Sequence, residues 1–182
     1  MFALFKLTMK KIILTLVLIF SFNIAKAQTE TIIMEKGKVI KSVKGAYYKT
    51  PNKLINKFLG KWEYKNGNET FKFKITKEKR YLKGGDTYLD FLNAKYCYNK
   101  GVDCSFSKVI DKLVGTIIPL EESANFTFYD KKHKKYGELI FSILEDGTAK
   151  WVLQNREVTY TSTNRPNPGF SVPEKMILTK VK

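Results

Sequence analysis

The stretch Phe58-Leu59-Gly60-Lys61-Trp62-Glu63-Tyr64 marks a change from helical to strand periodicity. Before it, apolar residues recur at helical spacing over 54–58, behind a Thr50-Pro51 pair that suits a helix start with Thr50 as the N-cap. Gly60 can take the left-handed conformation that closes a helix. After Gly60, aromatic and charged residues alternate, which is the pattern of a strand with one apolar face. The sequence therefore predicts a short helix that leads directly into a first strand.

A β-hairpin is predicted immediately after this stretch. Asn66-Gly67 is a strong two-residue turn signal, and residues 69–76 return with aromatic and lysine residues in alternation. Such a turn places Trp62 directly opposite Phe71 on the apolar face. We therefore expect Gly60, Trp62 and Phe71 to be structural residues, with the apolar residues of 54–58 as a lid over Trp62.

The short helix followed by Gly60-Lys61-Trp62 resembles the signature of lipocalin-like (calycin) barrels, in which the tryptophan closes one end. That resemblance implies a β-barrel. In lipocalins an arginine lies over the tryptophan, and the last predicted strand here offers only Lys175 or Lys180 for this place.

A wider set of segments is similar to an exported family of unknown function from Bacteroidetes-type bacteria. The resemblance runs from Tyr47 to the C-terminus, and it implies a barrel without implying a ligand. It rests on the following segments: Tyr47-Tyr48-Lys49, Asn56-Lys57, Asn99-Lys100-Gly101 and Val172-Pro173-Glu174-Lys175-Met176-Ile177-Leu178.

Residues 1–27 have the pattern of a secretory signal peptide. Lys10-Lys11 precede an apolar run over 12–20, which is shorter than the about 20 residues that span a bilayer, and Ala25-Lys26-Ala27 matches a cleavage site. Either Met1 or Met9 can start translation. We expect an exported protein, periplasmic or secreted, with no transmembrane anchor in the mature chain.

The mature chain is strongly basic. Residues 1–27 contain four of the 33 basic residues and none of the 17 acidic ones, so the remainder carries a formal net charge of +12. Two interpretations stay open: a solvated surface that resists aggregation, and a surface for an anionic partner. Because an exported protein rarely meets nucleic acid, we expect no nucleic-acid partner.

The rest of the chain repeats strand and turn signals and contains no long helical pattern. Residues 28–49 read as a polar leader with one weak strand, and residues 50–182 as one domain. A two-residue turn at Asp146-Gly147 would place Trp151 opposite Ser142. Apolar residues would then lie on both faces of that hairpin. Either its register differs by one residue, or part of its exterior is covered. We predict an all-β fold, a single antiparallel lipocalin-like barrel of about 8–10 strands with a short N-terminal helix.

The sequence offers little for catalysis, so we expect a protein that is not an enzyme and has no cofactor or catalytic residues. The single histidine, His133, lies between lysine pairs that disfavour a metal ion, and it reads as a solvated loop residue. Glu121-Glu122 read as exposed loop charges. No nucleophile motif, phosphate-binding loop or dinucleotide fingerprint is present.

Cys97 and Cys104 flank the predicted turn Asn99-Lys100-Gly101. In an exported protein this spacing favours a disulfide, although a Lys100-Gly101 loop would put the two cysteines at a hydrogen-bonded pair, where the Cβ spacing is less favourable. Two separately buried thiols remain the alternative.

Two functional hypotheses follow. The first is a barrel that binds a small apolar or amphipathic ligand in the cell envelope, with ligand-binding residues that the sequence does not identify. The alternative is a basic-surfaced interaction module for an anionic envelope polymer, lipid head group or partner protein, with a filled barrel as its scaffold. Whether the barrel interior is open or packed separates the two, and the sequence indicates no oligomeric state.

Overall fold

The computed structural model of the chain describes residues 29–35, 42–101, 106, 112–118, 122–156 and 169–181. The predicted signal peptide lies outside the described residues. Within these ranges, ten strands and one short helix are formed. They are β1 (Thr31–Ile33), β2 (Tyr47–Lys49), α1 (Asn52–Phe58), β3 (Gly60–Asn66), β4 (Glu69–Leu82), β5 (Thr87–Lys100), β6 (Lys112–Ile118), β7 (Ser123–Asp130), β8 (Lys135–Ile143), β9 (Ala149–Asn155) and β10 (Lys175–Val181).

Strands β3 to β10 form one closed antiparallel barrel of eight strands. Each strand pairs with the next along the chain, and β10 pairs back with β3, so the sheet has no free edge within this set. The predicted all-β barrel of about 8–10 strands with a short N-terminal helix is thus confirmed.

The segment predicted as a polar leader contributes two short strands instead of one. β1 pairs in parallel with β2, and β2 pairs in parallel with β5. Strand β5 can accept β2 because it extends beyond its pairing with β6, and Tyr88 and Leu89 in this extension are the partners. The barrel therefore carries a short additional sheet at the end where α1 lies.

Helix α1 begins and ends close to the predicted positions, but its caps differ from the expectation. Pro51, not Thr50, is the N-cap. The backbone N–H of Thr50 donates to Asp90 Oδ2 at 2.9 Å. At the other end the helix stops at Phe58, Leu59 is extended, and Gly60 takes φ +121° as the first residue of β3. Only glycine adopts such an angle readily, which explains how the chain reverses so sharply into the strand.

The first hairpin has a register two residues away from the prediction. Trp62 lies opposite Phe73, not Phe71, because Gly67 and Asn68 occupy the turn between the paired residues Asn66 and Glu69. Gly67 has φ +57° whereas Asn68 has a negative φ, so the turn has its glycine at the first central position. A shift of two residues keeps every side chain on its predicted face.

The hairpin of β8 and β9 settles the question that the sequence left open, and its register differs by one residue. Phe141, not Ser142, lies opposite Trp151. The loop holds three residues between Leu144 and Thr148, whose backbones are hydrogen-bonded at 2.9 Å, and Gly147 takes φ +81° in it. Adding one loop residue puts Leu139 and Phe141 on the inner face with Trp151.

Aromatic rings fill the middle of the barrel. Phe73 makes edge-to-face contacts with Phe126, Phe141 and Trp151 at centroid distances of 5.6, 5.3 and 5.2 Å. All four side chains are at most 1% exposed. Such ring pairs add to the burial of apolar area, so the interior is a packed core.

Candidate functional site

Trp62 closes the barrel at the end covered by α1. Its indole N–H donates to the carbonyl of Phe58, the last helical residue, at 3.0 Å. Ile55 and Phe58 are buried over it, as the lid prediction requires. Trp62 is itself 1% exposed and belongs to the apolar core.

Lys180 lies over the outer side of this closure. Its ammonium is 5.2 Å from the centre of the Trp62 ring and donates to the carbonyl of Lys57 in the last turn of α1 at 3.1 Å. A cation is favourable at both places, since the ring face and the helix C-terminus are both negative. Of the two lysines considered for this place, the structure uses Lys180. Gly60 is adjacent, and a Cβ there would lie 3.2 Å from Lys180 Cε.

The opposite end is closed by residues 169–174. Phe170 packs edge-to-face on Phe128 at 5.8 Å, and the ammonium of Lys135 lies 4.5 Å above the Phe170 ring. Gly137 leaves room for this ring, because a Cβ at 137 would lie 2.7 Å from Phe170 Cζ. Lys135, predicted to lie in a charged loop, is in fact buried in β8. The indole N–H of Trp151 donates to the Pro173 carbonyl at 3.1 Å.

A buried carboxylate fastens this second closure. Asp130 accepts hydrogen bonds from the N–H and the hydroxyl of Ser171, at 2.5 and 2.9 Å, and from the N–H groups of Lys132 and His133. Burial by itself raises the pKa of the Asp130 carboxyl, but the hydrogen bonds outweigh burial and lower its pKa below the ordinary 3.8.

His133 belongs to the same closure. Its Nδ1 lies 2.7 Å from the Gly169 carbonyl and 3.6 Å from Asp130, and the side chain is 26% exposed. His133 is thus a loop residue, as expected, and it remains partly exposed while it contacts the closing segment. Ser171, His133 and Asp130 do not form a nucleophile relay, since the serine hydroxyl donates to the carboxylate and not to the imidazole.

A second buried carboxylate ties β2 to the barrel. Asp90 accepts hydrogen bonds from the Tyr47 hydroxyl and the Thr50 N–H, and Lys77 pairs with it at 3.2 Å. Burial and the Asp90 hydrogen bond raise the pKa of the Tyr47 hydroxyl. With every oxygen engaged, this network is a structural joint between the additional sheet, α1 and the barrel.

The outer face of the barrel carries a row of lysines that the sequence did not reveal. Lys61, Lys74, Lys95 and Lys112 come from β3, β4, β5 and β6, and the register places each directly opposite the next. Among the described residues, none of the four forms an ion pair. We call these four residues the lysine row.

A groove of about 630 Å³ runs beside the lysine row. It is lined by Lys74, Lys95 and Lys112 and also by the side chains of a polar cluster on β4 and β5. In that cluster, Arg80 and Asn93 both donate to Glu78, and the Arg80 guanidinium also donates to Asn93 Oδ1 at 2.6 Å. The hydrogen bond from Asn93 has the largest effect on the pKa of Glu78, and it lowers that pKa. The hydrogen bond from Arg80 and the charge of Lys112 also lower it.

A second groove, of about 370 Å³, continues along the outer face towards β8. The two grooves share Val114 as a lining residue. In the second groove the amide of Asn125 donates to Glu138 Oε1 at 3.1 Å, whereas Asn125 Oδ1 is buried and has no hydrogen-bond partner among the described residues. Beyond it, Tyr129 and Tyr136 form an exposed cross-strand pair with ring centres 4.7 Å apart.

The predicted site residues are only partly brought together. Gly60 and Trp62 meet at the α1 end, whereas Phe71 lies opposite Tyr64 and contacts Trp151 at 4.8 Å. Cys97 is on the outer face of β5, and no free thiol occurs in the described part of the chain. Cys104 lies outside the described residues, so the Cys97–Cys104 bridge stays a prediction.

Within the described ranges, no group of three or more histidine, cysteine, aspartate or glutamate side chains is placed to hold a metal ion. Also within those ranges, the one helix is too short and too polar to cross a bilayer. Glu122 is exposed and pairs with Lys57 of α1 at 2.8 Å, while Glu121 falls outside the described residues.

Comparison with known proteins gives one match. The model of a family of unknown function (DUF6705) matches residues 9–113, which is more than half of the 182-residue chain and includes the whole lysine row. Neither the curated proteins nor the solved structures contain a significant match.

Proposed function

We propose that this chain, which belongs to the DUF6705 family of unknown function, is an exported, non-enzymatic binding module that holds an anionic polymer on the outer face of β3 to β6. The barrel is its scaffold. The observation that carries the proposal is the lysine row, four cations in register on four neighbouring strands.

The lysine row is unfavourable for the free protein. Like charges directly opposite each other on neighbouring strands are destabilising, and no carboxylate among the described residues pairs with these four lysines. Strands are about 4.8 Å apart, so four lysines extend over about 14 Å and match a chain of anionic groups better than a single small anion. A bound polyanion would remove the repulsion between the lysines. This supports the lysine row as a binding surface.

The barrel interior supports this function over a ligand-binding barrel. A carrier for a small apolar molecule needs an open cavity, whereas here the rings of Phe73, Phe126, Phe141 and Trp151 occupy the middle of the barrel. The two ends of the barrel are also covered, one by α1 and the other by residues 169–174.

Export is part of the proposal because it defines which polyanions the chain can meet. It is supported by the signal-peptide pattern of residues 1–27 and by the absence of a free thiol in the described part of the chain, which suits an oxidising compartment. The proposal therefore concerns acidic polymers of the cell envelope.

The test compares two doubly substituted variants that lose the same charge. Lys74→Gln/Lys95→Gln removes the centre of the row, and Lys150→Gln/Lys175→Gln removes two exposed lysines from β9 and β10. Binding of inorganic polyphosphate is measured by calorimetry at several salt concentrations.

We expect the row variant to bind roughly fivefold to tenfold more weakly than the wild type, with a smaller salt dependence, and the control variant to bind like the wild type. Equal weakening in both variants would show that only net charge matters and would reject the lysine row as the site. No binding by the wild type to polyphosphate or to any other anionic polymer would reject the function altogether.

A further inference from the structure

The outer face holds more than cations, and its other groups bear on which polyanion it fits. Val114 of β6 pairs with Thr127 of β7. If this antiparallel register is continued by two residues, Lys112 lies level with Tyr129. Tyr129 in turn pairs with Tyr136. The lysine row therefore leads into a pair of exposed aromatic rings, and together they cross six strands, or about 24 Å.

These tyrosines do not serve the core. Tyr136 is 55% exposed and Tyr129 37% exposed, and their rings contact each other on the outer face. Exposed aromatic residues next to a polar groove mark contact surfaces, since the ring offers an apolar face and the hydroxyl remains in water.

The second groove supplies hydrogen-bond acceptors beside the line that runs from Lys112 to Tyr129 and Tyr136. Glu138 lines it with carboxylate oxygens, and Asn125 Oδ1 is a buried acceptor without a partner among the described residues. An unsatisfied buried acceptor is costly, so a donor placed in this groove would be favourable. Phosphate groups of a polyphosphate carry no such donor.

We infer that the surface formed by the lysine row, the second groove and the Tyr129–Tyr136 pair binds an acidic polysaccharide, an inference that rests on the proposed function. The acid groups of the polymer pair with lysines, its hydroxyl groups donate to Glu138 and Asn125, and the apolar face of a sugar ring packs on the tyrosines. No bond is made or broken.

The experiment compares four polymers at equal ionic strength: polygalacturonate, inorganic polyphosphate, neutral dextran and single-stranded poly(dT). Polygalacturonate combines acid groups, hydroxyl donors and sugar rings, whereas each of the other three lacks at least one of them. The test variant is Tyr129→Ser/Tyr136→Ser, because both side chains are exposed and their loss leaves the core intact. Thermal unfolding of each variant is recorded as a check on folding.

We expect polygalacturonate to bind more tightly than polyphosphate, and the tyrosine variant to lose about three- to tenfold in polygalacturonate affinity with no change for polyphosphate. Asn125→Ala, which removes the unpaired acceptor, should reproduce the selective loss.

Two outcomes overturn the inference and leave the proposed function standing. In the first, polygalacturonate and polyphosphate bind equally and the tyrosine variant behaves as the wild type, so that charge alone is recognised. In the second, poly(dT) binds most tightly and loses affinity in the tyrosine variant, so that the rings stack on bases. Absence of binding to all of these polymers would overturn both proposals.

Discussion

The two ends of the barrel are closed in parallel ways but are held by different chemistry. At each end a tryptophan inside the barrel donates its indole N–H to the closing segment: Trp62 to Phe58 at the α1 end, and Trp151 to Pro173 at the other. The α1 end is fastened from outside by the cation of Lys180, whereas the opposite end is fastened by the buried carboxylate of Asp130.

This difference shows how one barrel can have ends of unequal sensitivity. The closure at the α1 end depends on burial and on the contacts of Lys180 with an aromatic ring and a backbone carbonyl, which contain no acid group. The other end depends on an ionised aspartate, whose hydrogen bonds weaken once the carboxylate is protonated. Substitutions at the two ends should therefore differ in how much they lower the free energy of unfolding and in how that loss changes with pH.

The largest effect is expected for Trp62→Ala. Removing this fully buried ring leaves a cavity under α1 and should lower the free energy of unfolding by about 3–5 kcal/mol, as measured by denaturant unfolding. Trp151→Phe keeps most of the volume and should cost less. An unchanged midpoint in Trp62→Ala would show that the α1 end is not held by this ring.

Asp130→Ala should come next, with a loss of about 2–3 kcal/mol, because the N–H and hydroxyl groups of Ser171 and its neighbours lose their acceptor. Hydrogen exchange should show faster exchange of the Ser171 amide while the amides of α1 stay protected. Asp146→Ala is the matched control, since that carboxylate is exposed and accepts its hydrogen bonds from Thr148 in the β8–β9 turn, outside the Asp130 closure. If α1 exchanged as fast as Ser171, the two ends would not be independent.

Acid should weaken the closure that Asp130 fastens. The pKa of Asp130 is lowered in the folded protein, so its contribution to stability is complete above the ordinary value of 3.8 and is lost as pH falls through the lower folded value. The difference in unfolding free energy between wild type and Asp130→Asn should therefore shrink below about pH 4. The difference between wild type and Lys180→Met should stay constant over the same range, and a parallel decline in both would contradict the distinction between the ends.

The smallest effect is expected for Lys180→Met, about 0.5–1 kcal/mol, since an exposed cation over an aromatic ring is worth little more. Lys180→Arg keeps the charge and should unfold at the wild-type midpoint. If Met at this position were neutral and Arg destabilising, the ammonium would have no part in the closure.

Alternation along the strands predicted most of the barrel, and two hairpins show why. In the first hairpin the register was wrong by two residues, and because side chains alternate with period two, Trp62, Phe71 and Phe73 stayed on the inner face. In the hairpin of β8 and β9 the sequence left two alternatives open, and only the structure shows that one additional loop residue brings Phe141 opposite Trp151.

The candidate site could not be read from the sequence for the same reason. Each lysine of the row is unremarkable in its own strand, where a lysine alternates with an apolar residue. Their alignment depends on three successive registers, and no local pattern encodes the positions of Lys61, Lys74, Lys95 and Lys112 relative to each other. The tyrosine pair similarly depends on the pairing of β7 with β8.

Gly137 has a further, evolutionary consequence. Any side chain at this position would collide with Phe170, which at present fills the mouth of the barrel opposite α1. One codon change could thus displace the ring and uncover Phe128 beneath it, and later loss of aromatic volume could deepen the opening. The closed mouth of the barrel thus depends on a residue that has no side chain, whereas the core below it is filled by the aromatic rings.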